Sequence, residues 1–296
     1  MKKVMMVSVM LMAAVAAKAQ LKVAPKMELG VERTYIVVNN VAVPTQGDVK
    51  MTVEQKYTVG RQTADGFVMD VVTTDVKTEA ADNNIAGKLI AATGELMSGL
   101  NIQVATDKDG KVVKINNYAD VKPELDKRAD KLVEQMAAVP ELAAIPKDAL
   151  KNQIKENLTE EKLLATMQQS TSILALNGKT VMTGAQDEYT NDDGLKLKRM
   201  YFVNGKTITA NGTLSMSKED MKALIILQVE KAAPEQADMI KQNIDQLIDS
   251  GMLKMDVKET ATYELGDDGW VKSLKSEATQ EAMGQKTVST TTVTLK

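Results

Sequence analysis

Three kinds of stretch in this chain carry residue types that chemistry could use. Ser215-Met-Ser-Lys218 has the Ser-x-x-Lys spacing that sets a hydroxyl and an amine on one helical face, as serine-lysine acyl transfer requires. Its companion motifs in penicillin-recognising enzymes, Ser-Asp-Asn and Lys-Thr-Gly, are missing, and Ser217 is placed to cap a helix that begins at Lys218. Asn204-Gly-Lys-Thr207 ends like a phosphate-binding loop but lacks the leading glycine, and Asn-Gly is the dipeptide of a tight hairpin. Acidic residues gather at Asp107 and Asp109, Asp187 and Glu188, Asp192 and Asp193, and Asp267 and Asp268. Each group precedes or fills a turn, where aspartate bonds its own backbone, and none has the spacing of an EF-hand calcium loop. A pair of these carboxylates held across a cleft would suit glycoside hydrolysis, but spacing along the chain does not bring two of them together.

Two absences narrow the chemistry further. The chain has no histidine and no cysteine, so serine-histidine and cysteine-histidine nucleophiles are excluded. Zinc, copper, haem and iron-sulfur centres would lack their ordinary ligands, and we expect neither a metal nor a cofactor. No disulfide can form, and no lipid can be attached through an N-terminal cysteine. With 37 basic and 40 acidic residues, a net charge of −3 and the lysines scattered, nothing concentrates the positive surface that nucleic acid needs. One tryptophan, six tyrosines and two phenylalanines supply few stacking platforms for sugars or single strands. Methionine, at nineteen residues, is the unusual apolar resource. Its flexible thioether fills irregular gaps and also lines cavities that accept ill-shaped lipophilic guests.

The first nineteen residues read as an export signal: Lys2 and Lys3, an apolar run from Val4 to Ala17, and the small-residue site Ala17-Lys-Ala19 before Gln20. The run is shorter than a membrane-spanning helix needs, and no later segment is long and apolar enough to span. The expected destination is periplasm or medium.

The elements that must position any site follow from periodicity. Residues 20–30 lack a clear period and read as a tether. Val49, Met51, Val53, Tyr57 and Val59 alternate with polar residues, the pattern of a strand with one wet face. Similar strands are expected at 31–43, 67–77, around the turn Asp107-Lys-Asp-Gly110, at 180–189, 195–203 and 206–215, and in three long runs from Met252 to Leu295. Helical spacing appears at 85–100, from Tyr118 to Met136, at 147–158, at 160–174 behind the cap Thr159, and in a pair over 217–250 in which Pro234 opens the second helix. Residues 31–117 thus form a first sheet half, 118–178 a helical insertion, and 179–296 a second half. Each half has three strands, a helical segment and a strand pair around Asp-Gly, by duplication or by chance recurrence of a common hairpin.

The expected fold is α+β: one domain with a large curved antiparallel sheet of about eleven strands and amphipathic helices on its concave side. This element order resembles the half-barrel carriers of the lipoprotein-localisation type, in which helices plug a curved sheet over an apolar hollow. The signal ending Ala-Lys-Ala-Gln and the Lys/Thr/Asp/Gly-rich meanders are similar to exported Bacteroides-type proteins of unknown function. Neither resemblance assigns a functional residue.

The function expected from these features is non-enzymatic: an exported protein holding an apolar or lipid-like ligand between sheet and helices. The helix-stripe residues Leu125, Leu132, Met136, Ile240, Ile244 and Leu247 are its candidate contacts. An envelope module with a filled core, recognising another protein, is the alternative. A hydrolase built on Ser215 and Lys218 is a third reading. Mass spectrometry of the exported protein should find Gln20 at its N-terminus, and Ala19→Asp should leave the precursor uncut.

Overall fold

Alternation of apolar and polar side chains turns most of this chain into strands, and eleven of them pair in one antiparallel sheet. The computed structural model describes residues 19–43, 47–81, 85–139, 146–191, 195–232, 234–249, 255–282 and 285–296. In chain order, β1 (Gln20–Lys22) leads into β2 (Glu32–Val43), β3 (Gly47–Gln62), β4 (Gly66–Glu79), helix α1 (Ile85–Met97), β5 (Asn101–Asp107) and β6 (Val112–Ile115). Helices α2 (Tyr118–Ala137), α3 (Lys147–Asn157) and α4 (Glu160–Met167) follow. The second half holds β7 (Thr180–Met182), β8 (Gln186–Thr190), β9 (Lys196–Asn204), β10 (Thr207–Leu214), helices α5 (Lys218–Ala232) and α6 (Pro234–Asp249), β11 (Met255–Leu265), β12 (Val271–Ala282) and β13 (Gln285–Leu295).

The strand order is β6-β5-β4-β3-β2-β13-β12-β11-β10-β9-β8. Each half is a meander in which helices interrupt the step from third to fourth strand, yet those two strands stay paired: β4 with β5, and β10 with β11. The halves join where β2 pairs with β13, from Tyr35 opposite Leu295 to Ala42 opposite Val288. Register shifts in the β3/β4, β5/β6 and β11/β12 pairs mark bulges, which bend a strand and raise its twist. The sheet is accordingly curved and does not close, leaving β6 and β8 as its edges. On β9, Leu197, Arg199, Tyr201 and Val203 are buried while Lys196, Lys198, Met200 and Phe202 are exposed. One main cluster, from Tyr35, Met69 and Ile102 through Leu125 and Leu132 to Tyr263 and Trp270, fills the inner side, and a smaller one forms around Leu195, Leu197 and Val257.

Three expectations need correction. Residues 20–30 are no loose tether: β1 pairs with β7, Val23 is fully buried, and Lys26 N–H donates to Asp268 O at 2.8 Å. A three-residue strand followed closely by Pro25 is too short to show a period. The helix expected through Leu174 stops at Met167, because Ser170, Thr171 and Ser172 offer the backbone other partners, and Ser172 Oγ accepts Leu174 N–H at 3.1 Å. In the β9–β10 hairpin Asn204 is already paired with Thr207, so the central residues are Gly205, with φ of 59°, and Lys206.

At one end of the sheet the N-terminal segment is tied to the second Asp-Gly turn. Trp270 Nε1 donates to Lys26 O at 2.9 Å, and the Arg33 guanidinium lies 4.6 Å from the centre of the indole ring while donating to Asp268 Oδ2 at 2.9 Å. Gly269 has φ of 78°, and a Cβ there would meet Ala24 O at 2.8 Å, so this turn requires glycine on two counts. Arg33 is 8% exposed, and without Asp268 its buried charge would be answered among the described residues by Glu28 alone, 3.9 Å away on the wet side. Asp268→Ala should therefore lower unfolding free energy by about 2 to 3 kcal/mol. Denaturant titration will measure it, and a change within error of zero would show the pair to be screened.

Candidate ligand-binding cavity

Between α4 and β7 the chain runs as a strap of consecutive turns, residues 168–178, through the inside of the curved sheet. Ile173 to Asn177 are buried, so the strap's peptide groups need partners within the protein. Tyr263 donates its hydroxyl to Ser170 O at 2.5 Å, Gln168 Nε2 donates to Val112 O at 3.1 Å, and Asn177 Nδ2 to Gly110 O at 3.3 Å. Gly178 N–H donates to Val23 O at 2.8 Å. The strap is thus bonded to the edge strand β6 through Val112 and to β11 through Tyr263 and Glu259.

A cavity of about 600 Å³ lies on one side of the strap. Its floor is the concave face of β2, β3, β4, β5 and β13, with Val37, Val53, Tyr57, Val71, Ile102 and Val293. Its cover is α1, through Ile90, Gly94 and Met97, and α4, through Leu163 and Met167; strap residues 171–174 close one wall. Gly94 sets how near α1 can lie to the sheet, because a Cβ there would meet Val76 Cγ1 at 2.7 Å. Arg128 fixes the end of α1 by donating to the carbonyls of Leu96, at 3.1 Å, and Ser98, at 2.5 Å. Thr93, Thr166 and Thr171 are exposed and mark the mouth, whereas Thr73 is buried. The volume falls in the usual range for a small-molecule pocket.

On the other side of the strap one polar row crosses the otherwise apolar inner face of the second half. Asp187, Arg199, Gly212 and Glu259 stand in register across β8, β9, β10 and β11. Arg199 makes a two-pronged pair with Asp187, both distances 2.9 Å, and its guanidinium lies 3.9 Å from the centre of the Tyr189 ring. Tyr201 donates to the same carboxylate at 2.8 Å. Burial by itself would raise the Asp187 pKa, but the bonds from Arg199 and Tyr201 win and hold it below its ordinary value. Burial pushes the Lys179 ammonium, 3.7 Å from that carboxylate, below its own. A smaller hollow of about 390 Å³ is lined here by Lys111, Gln168, Lys179, Asp187, Tyr189 and Arg199, and Leu174 lines both hollows.

Glu259 accepts hydrogen bonds from Ser170 Oγ of the strap and from the Tyr189 hydroxyl. Desolvation pushes its carboxyl up to about 7. Glu259 does not line the smaller hollow, and its geometry ties strap to sheet.

Five of the six residues expected to contact a ligand, Leu125, Leu132, Met136, Ile244 and Leu247, are not among the described residues that line the cavity. Leu125 and Leu132 belong to the main core, and Met136 packs against it, because the α2 stripe meets the sheet and α1 directly. Ile244 is fully buried and Leu247 half-buried on α6, which packs on α5; the Ile240 side chain lies outside the described residues. The lining instead uses α1, α4 and the strap. A helix-interior glycine, unfavourable by about 1 kcal/mol relative to alanine, was the available signal at Gly94. Among the described residues Met51, Met97 and Met167 are the methionines of the lining, whereas Met69 is plain core and Met239 is 60% exposed.

The other motifs resolve as structure. Ser217 Oγ accepts Asp220 N–H at 3.0 Å as a helix cap, and Ser215 Oγ donates to Lys196 O at 3.3 Å. Asp107 accepts the N–H groups of Asp109 and Lys111, each at 2.9 Å, as a turn-forming aspartate does. Asp187 departs from the turn reading, since it sits on β8 paired with Arg199. Asp192 and Asp193 lie outside the described residues. Among the described residues no three His, Cys, Asp or Glu side chains group as a metal site would need, and no helix is long and apolar enough to cross a membrane.

No family model and no curated protein matches this chain. Among solved structures, lipovitellin, studied for its lipid-protein interactions, aligns with 92% of the chain at 9% identity and a TM-score of 0.38; the chain spans 25% of that one. A porin-like protein from Bacteroides uniformis aligns with 88% of this chain and 97% of its own at 10% identity, with a TM-score of 0.17. Function must be argued from the chain's own geometry.

The raised Glu259 pKa has a signed consequence for stability. The folded protein keeps this proton up to about pH 7, whereas an unfolded chain loses it near the ordinary carboxyl value of 4.5, so unfolding releases a proton between those values and stability falls as pH rises through them. Glu259→Gln keeps a neutral partner for both hydroxyls and should remove that decline. It should leave the protein more stable than the parent at pH 8 by about 1 to 2 kcal/mol. Urea titrations at pH 5 and pH 8 decide it: equal pH dependence in the two proteins would mean the carboxyl is not held neutral.

Proposed function

We propose that this protein is a non-enzymatic binding protein that is exported and holds an apolar ligand in the cavity between the concave sheet, α1, α4 and the strap. One observation carries this reading: the floor of the cavity, lined largely with valine, isoleucine, methionine and tyrosine, faces open space of about 600 Å³, whereas the apolar inner face of the second half is packed into the core. At about 30 Å³ for each water-sized or methylene-sized group, the space takes on the order of twenty such groups, the bulk of one long acyl chain. Each buried methylene contributes about 0.8 kcal/mol. Association itself costs about 4 to 15 kcal/mol, so a long chain is needed for useful affinity and a short one should bind weakly.

The cover suits entry of such a guest. Helix α1 contains glycines at 87 and 94 and is followed by Gly99 with φ of 72°, a composition that gives the helix little stability of its own. Movement of α1 away from β3 and β4 would open the mouth without disturbing the sheet.

The test is uptake of the neutral fluorophore N-phenylnaphthylamine, together with native mass spectrometry of the purified protein. We expect fluorescence enhancement by the folded protein and a co-purifying lipid mass. Val37 is half-buried in the cavity floor, and Val37→Trp should fill the space. It should weaken uptake by about tenfold or more, equivalent to about 1.4 kcal/mol, while the melting temperature holds or rises. Uptake unchanged in a folded Val37→Trp variant would place the probe elsewhere.

A further inference from the structure

The cavity has a chemical bias that its shape does not require. Among the described residues, none of the side chains that line it is charged. Its polar members, among them Asn39, Gln55, Thr73, Thr166, Ser172 and Thr291, are neutral amides and hydroxyls. This is unusual in a chain where 26% of residues are charged, and it contrasts with the hollow across the strap, where Lys111, Lys179, Asp187, Glu188 and Arg199 all line the wall. Arg128, the cation that reaches the end of α1, is engaged by Glu124 at 2.9 Å and by two main-chain carbonyls, and it is not part of the lining.

We infer that the cavity is selective for an uncharged amphiphile, one long hydrocarbon chain ending in a neutral, hydroxyl-bearing group, and that it discriminates against the carboxylate of the same chain. The inference rests on the apolar-ligand reading above and names its ligand class. An acyl chain inserted into the hollow draws its head group to the mouth, where Thr93, Thr166 and Thr171 stand exposed. A threonine hydroxyl has one donor and two acceptor lone pairs, and Thr166 already donates its proton to Lys162 O at 3.0 Å. What Thr166 still offers is an acceptor, which pairs with a ligand hydroxyl and repels a carboxylate oxygen. A carboxylate drawn into this mouth gives up water and finds no cation among the described lining residues, the arrangement under which ionised groups are most strongly disfavoured. A glycerol or simple alcohol end loses far less, because the hydrogen bonds it leaves in water have neutral counterparts here.

The test is competition for N-phenylnaphthylamine by a long-chain monoacylglycerol and by the fatty-acid anion of equal chain length, both below their aggregation limits and at a pH where the acid is ionised. In the unaltered protein the monoacylglycerol should displace the probe at a concentration about tenfold lower or more. Thr166→Lys places a cation at the exposed mouth and should narrow that ratio to about threefold or less by improving the anion; Thr171→Lys, equally exposed, serves if the first variant does not fold. An anion that competes as well as the monoacylglycerol in the unaltered protein would leave the cavity standing and overturn its selectivity. A preference that persists undiminished in both lysine variants would overturn it too, since charge is then not its cause. Failure of the probe and both lipids to bind would remove the cavity reading itself, and the selectivity with it.

Discussion

A length of irregular chain inside a curved sheet must find partners for its peptide groups without water, and that constraint organises this protein. The sheet bends far enough for its edges, β6 and β8, to lie on either side of residues 168–178, yet they do not pair with each other. The strap occupies the gap and is satisfied from both halves: by Tyr263 of β11, by its own Asn177 and Gln168 reaching onto the turn and strand of β6, and by the Val23 carbonyl of the N-terminal segment. Each of these bonds is to a main-chain carbonyl or amide that burial would otherwise leave unpaired. The position of the strap, and hence the space left beside it, is set by these hydrogen bonds together with the burial of Ile173, Leu174 and Leu176 in the core.

That position divides the inner surface into two environments. On one side valine, isoleucine and methionine face the larger hollow; on the other a carboxylate, a guanidinium and two phenols form a row beside the smaller one. Leu174 faces both. The polar row holds Arg199 at 5% side-chain exposure because Asp187 answers its charge and Tyr189 its flat face. Glu259 next to them has no such cation among its described bonds, and desolvation keeps its carboxyl protonated to a higher pH than usual. The open space lies on the other side, under the glycine-bearing helix α1.

The architecture is legible in the sequence where periodicity is strong and hidden where it is short or interrupted. Val49 to Val59, Leu195 to Val203 and Leu253 to Leu265 alternate clearly, and with the Asp-Gly and Asn-Gly turns they predict a sheet of about eleven strands; among the described residues the sheet has eleven. Thr159, Ser217 and Pro234 mark helix starts correctly because capping is a local property. The strap is hidden for the opposite reason: Ile173, Leu174 and Leu176 continue the helical spacing of α4, and only the preceding Ser-Thr-Ser run hints at the break. The cavity-lining residues are hidden because a helix stripe records which side is buried, not whether the burial is against solid core or empty space. Leu125 and Leu132 lie on a clear stripe and are buried in the main core. Asp187, Arg199 and Glu259 lie on three different strands, and their alignment depends on register across four strands, which no local pattern encodes.

The seam between β2 and β13 joins the first long strand of the sheet to the last. Every other pairing in the large sheet can form between strands that are close in sequence or separated only by a helical excursion, but this one closes a loop of more than two hundred residues. Its entropy of closure grows only slowly with that length, yet it must be met before any contact across the seam rewards it. The two meanders can therefore organise as separate units while the chain is still emerging, and the inner space between them exists only once the final strand has been delivered. Assembly order is thus written into topology: the walls come early, and the enclosure is the last thing to be made.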